Sequence, residues 1–330
     1  MKQELQNKLA LFAANTQGMK KEFNTQDAVA KRFAAMLYAL ENKPVDCAAL
    51  RESYDLIKSS TRAFSIFRGN MALCVVAMLS LKDDREALFD NTAAVYEMMK
   101  GVKFRASDYL AVAAYQIASN ASPEQYQETV ARARAFYDGM KANGFFRTGE
   151  DDYIFAAMLG LSDINVKEGT DRIEQFYKRF KPYLKISDSV QALAQILVLS
   201  GDSDTAAARL LELRDALKAE KLRLDKTFTM SSLGILALLP VEIGIITQDI
   251  KEAQAFLRTQ KGFGSFSIDK QELLILAAGI VASVYAGDVE NGVLKASLST
   301  SIASVIIAQQ TAFIAAMAAS SAAVAASASS

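Results

Sequence analysis

Histidine is absent from this chain, and cysteine and proline are scarce: two and four residues in 330. Without imidazole there is no Ser-His-Asp or Cys-His triad and no histidine general base. Nearly every catalytic zinc site and ordinary haem ligation fall away with it. Cys47 and Cys74 cannot by themselves hold a structural zinc or an iron–sulfur cluster. They also make no disulfide framework, which fits a reducing compartment. Cys74, inside M-A-L-C-V-V-A-M-L, reads as a small core residue. Four prolines and sixteen glycines are few breakers, which favours helices over turn-rich sheet. No charge of one sign predominates: Lys+Arg and Asp+Glu both number 37. That balance argues against a body built to coat nucleic acid, so no nucleic-acid partner is expected. The first apolar run, around Glu4 and Lys8, is too short for a secretory core, and the expected location is cytoplasmic. No cofactor and no metal is expected.

What is present is apolar and periodic. Hydrophobic residues make up 51% of the chain, a globular balance. Tyr153 to Leu161 is apolar on every face, the pattern of a helix buried all round, with Asp152 before it as a cap. The next run is amphipathic: Val166, Ile173, Phe176, Tyr177 and Phe180 share one stripe, and Pro182 helps stop it. The same plan recurs at openings near residues 27, 70, 108, 152, 188, 226 and 269. Ser122-Pro123-Glu124-Gln125 is a capping-box start, and a helix is expected from Gln248 to Thr259. One such pair cannot cover its own apolar helix, so pairs must stack. The expected fold is all-α: about seven helix-pair repeats, either an α/α superhelix or a closed α/α ring, with a C-terminal apolar capping helix. Residues 1–26 are expected as a lead-in helix, 27–287 as the repeat array and 288–330 as an uncharged Ala/Ser-rich helix and tail.

The run L-L-I-L-A-A-G-I-V-A-S-V-Y-A-G (residues 273–287) and the uncharged A-Q-Q-T-A-F-I-A-A-M-A-A-S-S tail resemble a bacterial all-helical family of unknown function, over most of the chain. The resemblance implies a bacterial source and an all-α fold, and it transfers no functional residue.

Two groups of side chains are candidates for chemistry. Arg68, Arg105, Arg147, Lys185 and Arg223 each follow an apolar residue shortly before a helix-capping position. Stacked in register, they form a basic row that can hold an anion; equally, each can satisfy helix C-terminal carbonyls or a capping carboxylate. Glu150, Asp151 and Asp152 are the densest acidic cluster, at a helix start where acids belong for dipole reasons alone. Asp83-Asp84-Arg85-Glu86 has an acidic pattern but lacks a further Asp at position 87. The glycines and rings of K-G-F-G-S-F-S (261–267) mark either a ligand-facing loop or a connector whose rings plug the stack. The leading expectation is a non-catalytic scaffold that binds a protein partner or a second copy of itself. The alternatives are an α/α-ring enzyme using Asp151 and Asp152 in a central mouth, and membrane contact through residues 296–318.

Overall fold

A computed structural model of the chain describes residues 1–290 except 64, 70–71, 144–147, 185, 201–202 and 228. The described residues form fourteen α-helices and no strand. They are α1 (Gln3–Glu22), α2 (Ala28–Leu40), α3 (Cys47–Ser60), α4 (Ala72–Ser80), α5 (Arg85–Gly101), α6 (Asp108–Asn120) and α7 (Tyr126–Ala142). Then follow α8 (Asp152–Leu161), α9 (Val166–Phe180), α10 (Ser187–Leu199), α11 (Ser203–Ala219), α12 (Met230–Leu238), α13 (Ile243–Thr259) and α14 (Lys270–Glu290). Of the apolar capping helix expected in 288–330, residues 288–290 belong to α14 and the rest, with the membrane-contact segment 296–318, lies outside the described residues. Among the described residues, no helix is long and apolar enough to cross a membrane.

Helix starts follow from short polar side chains. Asp27, Asp46 and Asn165 accept from the backbone N–H groups two and three residues on, satisfying donors that a helix start leaves open. At Ser122 the backbone N–H donates to Gln125 Oε1, the expected capping-box arm. Helix α13 begins at Ile243, five residues before the expected start. Glu242 supplies the extended N-cap residue, and Gly244 and the Ile pair that follows enter the first turn.

Burial divides the helices by parity. In α4 every residue is buried, and in α8 every residue from Asp152 to Gly160 is. By contrast α9 buries only one stripe: Gly169, Thr170, Ile173, Phe176, Tyr177 and Phe180. Each even-numbered helix packs most extensively on the odd one before it, except α10 and α12, which pack most extensively on each other; α6 and α8 also pack broadly together. Even helices touch even neighbours in order, α2 to α4, α6, α8, α10, α12 and α14, and α14 touches α2. On the outer side α1 touches α3, and α3, α5, α7 and α9 follow in turn. An Arg172–Asp204 ion pair links α9 to α11, which packs on α13, and α13 touches α1. The segment expected as a lead-in therefore lies on α2 and also meets α13 and α14.

Where the first and last helices meet, the contact is specific. Arg32 of α2 donates Nε to Glu272 Oε1 at 2.6 Å and Nη2 to Oε2 at 2.9 Å, both residues being buried. Gln17 donates to the Lys261 carbonyl at 2.5 Å, and the Phe12 and Phe263 rings meet edge-on at 5.3 Å. Gly262 adopts φ +90°, a conformation open to glycine, and so turns the chain to bring Phe263 onto Phe12.

Candidate functional site

The connectors entering the even helices and those leaving them sit at opposite ends of antiparallel neighbours. Their charges differ. Counted by sequence, the seven entering connectors carry eleven Lys/Arg and six Asp/Glu; the six leaving connectors carry two and eight. The entering connectors are therefore net basic and the leaving connectors net acidic. Capping accounts for some of these charges, as at Asp46 and Asp84, but helix starts and helix ends occur at both ends, so dipoles alone do not separate the signs.

The row cations fare differently. Arg68 donates to the carbonyls of Lys58 and Thr61 at the end of α3, and its Nε to Thr61 Oγ1 at 2.9 Å. Arg223 forms a two-pronged pair with Asp225 at 2.7 and 2.9 Å. Arg105 is exposed; its backbone N–H donates to Tyr153 Oη, and among the described residues its guanidinium makes no ion pair. Arg147 and Lys185 lie outside the described residues. Of the glycine-rich connector's rings, Phe263 is buried and Phe266 is fully exposed.

In the acidic cluster the three side chains part company: Glu150 is half-buried, Asp151 exposed and Asp152 buried. Asp152, the first residue of α8, reaches back to accept from the Gly149 N–H at 2.9 Å. Its Oδ1 accepts from Gln191 Nε2 at 2.8 Å and Gln195 Nε2 at 2.7 Å, both on α10. Burial, with the charge of Asp151 added, pushes this carboxyl up to about 7; the three donors pull the other way. Each glutamine's own Oε1 finds no partner among the described residues. Tyr153 meets Tyr137 and Phe104 edge-on beside this cluster, and burial with the neighbouring Tyr153 raises Tyr137 to about 12. The glutamines escaped notice inside S-V-Q-A-L-A-Q-I-L. Their spacing of four, which puts both on one helix face, is the signal that marks them.

At the acidic end, cations on odd helices hold carbonyls at or just beyond the end of the following even helix. Lys8 donates to Leu40, Arg132 to Gly160, Ser162 and Ile164, and Arg209 to Leu239 and Val241. These are carbonyls left open at helix C-termini and in the turns that follow, so the device is structural. Beside Arg209 a cleft of about 370 Å3 is lined by Arg209, Pro240, Val241, Glu242 and Ile243. Also at this end, Asp84 caps α5 through the Ala87 N–H, and among the described residues no three carboxylates or thiols come together as metal ligands.

The family model described as "Protein of unknown function (DUF4003)" matches residues 15–311, and the chain belongs to that family. No curated protein matches it. No solved structure matches it.

Proposed function

We propose that this member of a family of unknown function is a non-catalytic interaction scaffold: a closed ring of seven helix pairs, α1–α2 to α13–α14, whose two ends are docking faces of opposite charge. The carrying observation is the segregation of connector charge, basic where the even helices start and acidic where they end. Contacts of α14 with α2 and of α1 with α13 support closure. A closed array leaves its two rims as the broad surfaces presenting loops, and loops carry recognition. The basic row belongs to one rim, and Arg105 is its best-placed cation; Arg68 is engaged by carbonyls, Arg223 is balanced by Asp225, and Arg147 and Lys185 lie outside the described residues. The partner suited to this rim is an acidic protein segment.

The enzymatic reading has one observation in its favour, a carboxyl with a midpoint near neutrality at Asp152. Against it, that carboxyl is fully buried and spends its oxygens on three internal donors. The test is binding of polyglutamate and polylysine at low and high salt to the wild type and to Arg105→Glu/Arg223→Glu. Polyglutamate should bind the wild type, weaken with salt and weaken further in the variant. Equal binding by both proteins contradicts the docking-rim reading.

A further inference from the structure

The two sets of connectors are opposite in charge, and each carries one feature the other lacks: an exposed ring on the basic side and an open cleft on the acidic side. Phe266, on the connector between α13 and α14, is fully exposed, with the exposed cations Lys261 and Lys270 on either side of it in sequence. The cleft of Arg209, Pro240, Val241, Glu242 and Ile243 lies at the start of α13. Pro240, Val241 and Ile243 supply the apolar side of its lining, and Arg209 with the exposed Glu242 supplies the polar side. Arg209, with its Nη groups on the Leu239 and Val241 carbonyls, offers a fixed guanidinium to an incoming ring. Helix α13 has 17 residues and separates the two features by roughly 25 Å, so Phe266 cannot reach the cleft of its own chain.

We propose that the occupant of this cleft is Phe266 of a second copy, the basic rim of one ring docking head-to-tail on the acidic rim of the next. This rests on reading the rims as docking faces. Knob and socket are different patches, so the contact is heterologous: each copy keeps a free knob at one end and a free socket at the other, and association continues unless rotation closes it. Lys261 and Lys270 then face Glu242, and the ring stacks on Arg209. An exposed aromatic anchored in a pocket is the kind of residue that dominates an interface.

Sedimentation velocity over a range of protein concentrations tests this. The wild type should gain mass with concentration, less so at high salt. Phe266→Ala and Glu242→Lys, both at exposed positions, should each associate roughly tenfold or more weakly while keeping the wild-type circular dichroism. Mixed, the two variants should form a dimer that grows no further, because one supplies an intact socket and the other an intact knob. A wild type that is monomeric at every concentration, variants that associate as it does, or a mixture that stays monomeric would each overturn the proposal. If polyglutamate still binds in that case, only self-docking fails; if that binding is lost too, the scaffold reading fails with it.

Discussion

Asp152 and Glu272 are both buried carboxylates at the start of an even helix, and they are held in opposite ways. Burial pushes both up. Glu272 faces the Arg32 guanidinium, which pulls it back and pairs both of its oxygens. Asp152 faces neutral donors only among the described residues: two glutamine amides and a backbone N–H. Dipoles stabilise a buried charge less than a counter-charge does, so Asp152 retains a proton to about pH 7. The ion pair joins the first and last helix pairs, where it fixes one geometry; the neutral cluster lies midway along the chain and responds to protons.

The largest effect expected from this comparison is at the seam. Arg32→Ala leaves Glu272 buried without its partner and should cost about 3–5 kcal/mol in chemical denaturation. Replacing both by apolar residues, Arg32→Met with Glu272→Met, should cost clearly less, because no buried charge remains. A double variant as unstable as the single would show that the seam depends on the shape of the pair and not on its charge.

The second effect is a pH dependence of Asp152. Its folded value lies above the unfolded one of about 3.8, so between those values the folded chain binds more protons than the unfolded chain. The contribution of Asp152 to stability is therefore full below about pH 4 and is lost as the pH rises to about 7, on the order of 4 kcal/mol across the window. Asp152→Asn should remove this component. The difference between wild-type and variant unfolding free energies, measured from pH 4.5 to 8, should change steadily and then level off; a flat difference would mean the carboxyl is ionised throughout.

The smallest effect sharpens the same point. Gln195→Leu removes one donor from Asp152 and should cost about 1–3 kcal/mol at pH 8, where the carboxylate needs it. At pH 5, where a proton replaces the charge, the cost should be smaller. Equal losses at both pH values would assign Gln195 a packing role alone.

The comparison also marks what the chain discloses in one dimension. Helix periodicity depends on neighbours three and four residues apart, so the buried run at 153–161 and the stripe at 166–180 are legible, as are the caps at Asp27 and Asp46. The frame is less so: α1 lies within the packed body as the partner of α2, because its stripe of Leu5, Leu9 and Phe12 needs a surface that only the fold supplies. Arg32 and Glu272 are 240 residues apart, and no local pattern pairs them. The glutamines on α10 carry a local signal, yet their meaning depends on Asp152, 39 and 43 residues away. Phe263 and Phe266 are alike in sequence, one buried after the turn at Gly262 and one exposed within the following turn closed by Ser267 N–H on the Gly264 carbonyl.

Closure of the ring is the claim on which the two rims depend, and it is measured most directly at the Gln17–Lys261 contact. Gln17→Cys with Lys261→Cys, in a background with Cys47 and Cys74 replaced by Ser and Ala, brings two thiols together across 244 residues of sequence. Treated with a short bismaleimide at high dilution, this protein should give one intramolecular cross-link in high yield, seen as a faster-migrating monomer on denaturing gels and as one linked peptide by mass spectrometry. An open superhelix holds its ends far apart, and a product that is uncross-linked or linked only between molecules would contradict closure.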